Sequence, residues 1–180
     1  MGRMRHPRVW FALFGLSALA GCDGSAPIDL DGCKVCKGSL NVTPDSDPLA
    51  LAGCREVTVD LEFVVPRDEE PWRMQVDASC LEVVHGELRV EGGALVDWSA
   101  FSALRRVGRL AIVREPELDD LSPFSNLEEI RSGLVIDRVD QLLDLDPLSG
   151  TLGDMTGSLE IVGNDRLTSI AGLESVSEVG

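Results

Sequence analysis

A repeat of 22 to 25 residues constrains most strongly what this chain of 180 residues can fold into. The motif L-x-[IV] recurs at Leu88/Val90, Leu110/Ile112, Leu134/Ile136 and Leu159/Ile161. Four further apolar columns keep step with it, beginning at Leu95, Phe101, Leu104 and Val107. Five columns that stay aligned through four units indicate that each unit folds in the same way and stacks on its neighbours.

The spacing of apolar residues within a unit argues against an amphipathic helix. From Leu118 to Ile130 an apolar residue falls at every third position, whereas a helix alternates steps of three and four. Pro123 and Pro147, at matching positions of two units, would also break a helix. We therefore predict a short strand at each L-x-[IV] motif, followed by extended or 3₁₀-like turns.

Stacked units of this kind place successive strands in one parallel sheet, about 4.8 Å apart. The motif also continues, less regularly, to Leu61/Phe63 and Leu40/Val42. We predict a mainly β fold, a right-handed β-solenoid with about six rungs, a parallel sheet and few regular helices. After Gly180 the order of the columns requires another strand, so we expect the domain to be incomplete at its C-terminus.

The N-terminus has the organisation of an export signal. Three arginines precede the uncharged run at residues 9–20, which is shorter than the roughly 20 residues of a membrane span. The sequence LAGC, ending at Cys22, resembles the lipobox of bacterial lipoproteins, which implies that Cys22 is lipidated and begins the mature chain. The alternative is ordinary secretion with Cys22 as a spare thiol. The predicted division is a lipoprotein signal peptide at 1–21, a lipid-anchored tether at 22–32 and a β-solenoid at 33–180.

Several stretches resemble the receptor L domain, the leucine-rich-repeat-related β-solenoid of insulin- and EGF-receptor-type proteins. They are VCKGSLNV at 35–42, LAGCREVTVDLEF at 51–63 and the later G-x-L-x-[IV] units. The resemblance covers residues 33–180, and similar repeats occur in bacterial surface lipoproteins. It implies an architecture rather than one activity, because such domains carry different binding surfaces on a common scaffold.

Four cysteines follow Cys22, and an even number in an exported protein predicts two disulfides. A zinc site is disfavoured because the chain has one C-x-x-C, at Cys33 and Cys36, and no second. The resemblance to the receptor L domain implies that Cys36 pairs with Cys54, which leaves Cys33 for Cys80. A Cys54–Cys80 bridge is the alternative, since these residues would lie on neighbouring coils.

Charge and motif content narrow the function. Removing residues 1–21 takes away three of the 16 basic residues and none of the 31 acidic ones, so the net charge falls from -15 to -18. Such a chain repels nucleic acid. His85 is the only histidine beyond the signal peptide, no G-x-S-x-G motif or phosphate loop occurs, and acid pairs such as Asp119/Asp120 are interpreted as solvated charge. We expect neither an enzyme nor a cofactor or metal site.

The outward side of the strands is the remaining candidate surface. Because side chains alternate along a strand, the motif residues point inward and their neighbours, Glu87, Arg89 and Glu91 among them, point outward. The predicted partner-binding face is an exposed apolar patch with a charged rim, formed by Ala111, Val113, Val135, Val162, Glu62, Arg89 and Glu160. The alternatives are that β-branched residues stand there because they favour strands, or that a loop covers them.

Together these features predict a lipid-anchored, extracytoplasmic recognition or adhesion module that binds a protein or glycan partner. We expect it in the bacterial cell envelope, at the outer membrane or cell surface rather than at the inner membrane. A passive structural envelope lipoprotein without a specific ligand is the alternative. An envelope hydrolase is a more distant one.

Overall fold

A computed structural model describes residues 32–43, 46, 50–66, 75–93, 95, 97–153 and 155–176. The predicted signal peptide, Cys22 and nearly all of the predicted tether lie outside these residues. The described part contains eight strands: β1 (Lys34–Cys36), β2 (Leu40–Val42), β3 (Cys54–Val57), β4 (Leu61–Val64), β5 (Val83–Glu91), β6 (Arg106–Val113), β7 (Glu129–Asp137) and β8 (Ser158–Val162). Its helical segments are short 3₁₀ turns, at Trp98–Phe101, Ser122–Phe124, Asp146–Leu148 and Ala171–Leu173. Mainly β structure with 3₁₀ turns is what the threefold apolar spacing predicts.

The strands form one parallel sheet that winds as a β-solenoid of about five turns. Five strands carry the L-x-[IV] motif and β4 carries its variant Leu61/Phe63, in the order β2-β4-β5-β6-β7-β8. Leu110 lies opposite Leu134, which lies opposite Leu159, so the motif keeps its register from coil to coil. The predicted stacking is confirmed.

The apolar column that begins at Val107 also consists of strand residues, whereas the sequence reasoning placed it in the extended or 3₁₀-like turns. Val57, Val84, Val107 and Ile130 lie opposite one another, so β5, β6 and β7 are strands of eight or nine residues rather than short ones. Each long strand has a register irregularity between its two halves in at least one pairing. The sheet therefore has two segments, joined at a bend.

Glycine is required at the bend because neighbouring coils approach closely there. A Cβ atom built on Gly108 would lie 2.3 Å from the His85 carbonyl oxygen, and one on Gly86 would lie 2.5 Å from the Val59 carbonyl oxygen. Both distances are below any van der Waals contact, so no side chain fits without moving the backbone. The glycine of the G-x-L-x-[IV] motif therefore allows the coils to stack at the bend.

A second corner follows each motif, where the chain leaves the sheet in the left-handed conformation. Gly92, Arg114, Arg138 and Gly163 occupy this position in successive coils, with φ of 90°, 55°, 55° and 65°. Glycine adopts such angles without steric cost, whereas arginine rarely does. Both arginines make side-chain hydrogen bonds from this corner, Arg138 to Asp137 and Arg114 as described below.

The interior is a continuous stack of aliphatic and aromatic side chains. Phe63 on β4 meets Phe101 edge-on with ring centroids 5.9 Å apart, and Phe101 stacks on Phe124 at 5.8 Å. Phe101 and Phe124 end 3₁₀ turns, and the equivalent residue Leu148 is also fully buried. The turns thus bury one side chain per coil opposite the sheet.

Aspartates at the entrance to the 3₁₀ turns have a structural role. The side chains of Asp97, Asp120 and Asp144 accept hydrogen bonds from the backbone N–H two residues later, at 2.8, 2.8 and 3.1 Å. Ser169 does the same in the last described coil at 3.3 Å. Asp120 is therefore more than the solvated charge expected for the Asp119/Asp120 pair, because it satisfies a turn donor that has no partner in the sheet.

Two disulfides join the N-terminal coils. Cys36 pairs with Cys54 and Cys33 with Cys80, with Cα separations of 5.7 and 6.1 Å. This is the pairing implied by the receptor L resemblance, and the alternative Cys54–Cys80 bridge is wrong. Disulfides favour an extracytoplasmic compartment, where thiols are oxidised. In the part of the chain that the structure describes, no helix is long and apolar enough to cross a bilayer.

Candidate interaction surface

The seven residues of the predicted partner-binding face lie in two neighbouring rows across the sheet. Glu62, Arg89, Ala111, Val135 and Glu160 are register partners on β4 to β8. The adjacent row contains Val113 and Val162. We call the outward side of β4 to β8, with these two rows and the row of Glu87, Arg109, Gly133 and Ser158, the outer face. Four strand spacings of about 4.8 Å make it roughly 19 Å long.

The predicted exposed apolar patch is wrong for three of its four residues. Ala111 is 0 % exposed, Val113 5 % and Val135 9 %, and together they form a small buried cluster separate from the main core. Val162 on β8 is 58 % exposed. Alternation correctly predicts that these side chains point away from the main core. Whether solvent reaches them depends on the side chains around them.

Long charged side chains lie beside and across the buried cluster. Arg109 on β6 approaches Glu160 on β8, with 3.8 Å between Nη2 and Oε1, so its side chain spans β7, the strand that carries Val135. Arg89 lies next to Ala111 in the first row. The methylene groups of arginine can cover apolar surface while the guanidinium stays at the solvent boundary. On the outer face, charged side chains therefore lie around the buried apolar cluster.

Glu91 is held between two arginines at the edge of the outer face. It is 9 % exposed, although alternation alone predicts that it faces solvent. Its Oε2 accepts hydrogen bonds from Arg89 Nη2 and, at 2.9 Å, from Arg89 Nε. Its Oε1 accepts from Arg114 Nη2 at 2.8 Å and Nε at 3.2 Å. Burial acts to raise the pKa of Glu91, but the hydrogen bonds from Arg114 and Arg89 outweigh it and hold that pKa below its ordinary value.

The left-handed backbone conformation of Arg114 places its side chain within reach of two acceptors. From this corner its Nη2 reaches the Val65 carbonyl oxygen at 3.3 Å as well as Glu91. Sequence reasoning missed this residue. Its column was the available signal, because the same position is glycine in the coils of Gly92 and Gly163.

Arg109 differs from the other arginines of the outer face because it makes no hydrogen bond to any residue that the structure describes. Its Nε is buried without an acceptor, and its carboxylate neighbours, Glu87 and Glu160, are each 3.8 Å from a guanidinium nitrogen. The Arg109 side chain is 36 % exposed. Gly133 lies next to Arg109 in its row, contributes no side chain and is itself buried.

The groups considered for chemistry lie elsewhere. His85 contacts Glu56 through Nε2 and Oε1 at the other sheet segment, and both side chains are partly exposed. Cys33, Cys36, Cys54 and Cys80 are all in disulfides. Among the described residues, no group of three or more His, Cys, Asp or Glu side chains could hold a metal ion.

Comparisons with known proteins identify no relative of this chain. No protein-family model matches the chain, and no curated protein or solved structure matches it significantly. The candidate surface is therefore argued from its own contacts and charge.

Proposed function

We propose that this protein is an extracytoplasmic recognition or adhesion module that binds a protein or glycan partner through the outer face. The carrying observation is the alignment of Glu62, Arg89 and Glu160 in one row of register-matched strands. Side chains fixed on strands present a preformed surface, which lowers the entropy lost on binding. Glu160 is exposed and the other two are partly exposed, so a partner has access to all three.

A lipid on Cys22 is proposed to hold the module in the bacterial cell envelope, at the outer membrane or cell surface. The support is the lipobox resemblance of residues 19–22, together with two disulfides that favour an oxidising compartment. A short polar segment between Cys22 and the first strand would leave the outer face free to reach a partner.

A receptor-L-like scaffold is also part of the proposal. The parallel β-solenoid and its Cys36–Cys54 bridge are compatible with that architecture. In such a scaffold the coils supply rigidity and the surface residues supply specificity, so binding is expected to depend on outer-face side chains rather than on the core.

One observation favours the alternative of a passive structural lipoprotein. Ala111, Val113 and Val135 are buried, so the outer face offers a partner less apolar area than the sequence predicted. Apolar area at the centre of a contact contributes much of the affinity of protein complexes. A partner would therefore have to be recognised mainly through polar groups.

Binding of the purified mature protein to isolated cell envelopes tests the proposal. We expect saturable binding that is lost when Glu62 and Glu160 are both changed to lysine. The matched control changes Glu128 and Glu174 to lysine, which alters the net charge equally but lies off the outer face. Binding that never saturates, or that both double variants reduce equally, would instead support the passive structural role.

A further inference from the structure

Strand β8 forms one edge of the sheet, and within the described residues it pairs only with β7. The Val162 carbonyl oxygen accepts a hydrogen bond from the Arg138 N–H at 2.9 Å, so the backbone groups of Val162, and of Glu160 two residues earlier, face β7. Those of Leu159 and Ile161 therefore face away from the sheet, because alternate residues of a parallel strand bond to opposite sides. Such an edge can accept a further strand.

Edges of this kind are usually blocked in soluble proteins. Lysine, proline or a bulge commonly prevents another chain from pairing with them. Strand β8 contains neither lysine nor proline and pairs with β7 without a register shift. The two lysines of the chain, Lys34 and Lys37, lie at the opposite edge of the sheet, on β1 and directly after it. The β8 edge is therefore open to pairing, whereas the β1 edge carries a blocking charge.

The core is also open next to β8. One coil earlier, six inward side chains are each 0 % exposed: Leu134, Ile136, Leu142, Leu145, Leu148 and Leu152. The residues at the equivalent positions of the last described coil all reach solvent in part: Leu159, Ile161, Leu167, Ile170, Leu173 and Val176. A further strand beside β8 would remove apolar area from water in addition to pairing backbone groups.

The charges around this edge determine which strand it favours. The coil at 158–176 carries one arginine and three acidic residues, Glu160, Asp165 and Glu174. The Glu160 carboxylate is 55 % exposed and lies 3.8 Å from Arg109, too far for a hydrogen bond, so it can accept from another donor. A second copy of this chain, whose net charge is -15, would bring like charges together, whereas a basic segment brings opposite ones.

We propose that β8 accepts an extended basic segment of a partner protein as a further strand of the sheet. The segment has a lysine or arginine between two apolar residues. The apolar residues continue the columns of Leu159 and Ile161, and the basic residue lies beside Glu160. Backbone hydrogen bonds supply affinity in this binding mode, and the alternating side chains supply specificity. The edge is a second interaction surface beside the outer face, because the backbone of β8 forms it.

Two fluorescent synthetic peptides test the edge. One carries the sequence Ser-Leu-Arg-Ile-Val between polar flanks, and the other has glutamate in place of arginine. Fluorescence anisotropy with the purified mature protein should show tighter binding of the arginine peptide by a factor of about 2 to 30, the range expected when a cross-strand pair changes from like to opposite charges. Glu160→Lys should reverse this preference.

Glu174→Lys is the matched control, because it changes the charge of the same coil equally at an exposed position outside β8. It should keep the preference for the arginine peptide, and equal thermal midpoints would show that both variants are folded. The inference is overturned if neither peptide binds, or if Glu160→Lys and Glu174→Lys behave alike.

Hydrogen exchange followed by NMR separates strand pairing from attraction by charge alone. The amide of Ile161 should exchange quickly in the free protein and slowly when the arginine peptide is bound, whereas the amide of Glu160 should be slow in both states. Slow exchange of Ile161 in the free protein would mean that another part of the chain occupies the edge, and the inference would fail. Ile161 exchange that the bound peptide leaves unchanged would overturn it as well.

Discussion

Gly108 lies at the bend within β6, where successive coils approach each other closely. Changing it to alanine would place a Cβ 2.3 Å from the His85 carbonyl oxygen and 2.6 Å from that of Gly86. We expect Gly108→Ala to lower the free energy of unfolding by about 1–3 kcal/mol, because backbone atoms cannot yield as a side chain would. Urea denaturation of the purified protein measures the change.

Gly153→Ala is the control for this substitution. The nearest atom to a Cβ at Gly153 is 3.9 Å away, and its φ is not in the left-handed region. Alanine there should keep the unfolding free energy within about 1 kcal/mol of the wild type. Equal losses from both substitutions would contradict the close contact at the bend.

The lowered pKa of Glu91 predicts how the stability of the protein depends on pH. Its pKa is depressed in the folded state, so its contribution is fully present above the ordinary glutamate pKa of about 4.3 and is lost as pH falls through the lower folded-state value. Glu91→Gln should cost about 1–3 kcal/mol at pH 7, since it removes a charged acceptor from two guanidinium groups. The difference from the wild type should shrink below pH 4 in urea titrations at a series of pH values.

Glu128→Gln provides the comparison, because Glu128 is exposed and pairs only with Arg105 among the described residues. It should change the unfolding free energy by less than about 0.5 kcal/mol at any pH. A loss for Glu91→Gln that stays constant down to pH 3 would show that the carboxylate charge is not what stabilises this corner.

The contact between Glu91 and Arg114 could not be predicted from the repeat, although the glycines at the equivalent position in other coils mark the Arg114 corner as unusual. Each occupies a position that alternation or turn preference assigns to an ordinary surface residue, and the contact joins residues 23 apart in the chain. Only the folded coils bring the Arg114 corner back beside the end of β5. By contrast, the inward positions of Leu110, Leu134 and Leu159 follow from periodicity, which is local information.

At the scale of elements, two valines that the sequence pattern predicts to be exposed differ in their burial. Val135 is buried at 9 % exposure and Val162 is exposed at 58 %, although both point out of the main core. Val135→Glu should lower the unfolding free energy by about 2–3 kcal/mol, since it places a charge in an apolar cluster. Val162→Glu should stay within about 0.5 kcal/mol of the wild type.

Thermal or urea unfolding of these two variants measures the difference directly. If both are neutral, the Ala111, Val113 and Val135 cluster is open to solvent and the sequence prediction of an exposed patch is restored. If both are equally destabilising, the outer face extends as a buried layer over β8 as well.

Strand lengths show the limit of pattern reading at this scale. The L-x-[IV] columns predicted six aligned strands, because two inward residues per strand give a clear alternation. In the first halves of the strands, Val57, Val107 and Ile130 are each a single inward residue beside a charged neighbour, a pattern equally typical of a turn. Hydrogen bonds between coils make them strand residues, and the sequence of one coil does not contain that information.

For the whole molecule, the proposed envelope location makes a prediction about Cys22. If a lipid on Cys22 holds the protein at the membrane, Cys22→Ser should move it from the membrane pellet to the aqueous fraction after cell lysis and ultracentrifugation. Acyl chains supply the membrane affinity, and a serine cannot carry them. Unchanged pelleting of the variant would contradict lipid anchoring and leave the fold unaffected.

The central claim is that register-matched strands hold the charged residues of the outer face in a fixed row. Spin labels at Glu62 and Glu160, each introduced as cysteine in the Cys22→Ser background, report the length of that row by pulsed electron resonance. Four strand spacings predict a narrow distribution centred roughly at 19 Å between the two backbone positions. A broad distribution, or a mean beyond about 30 Å, would contradict the stacked coils and the surface built on them.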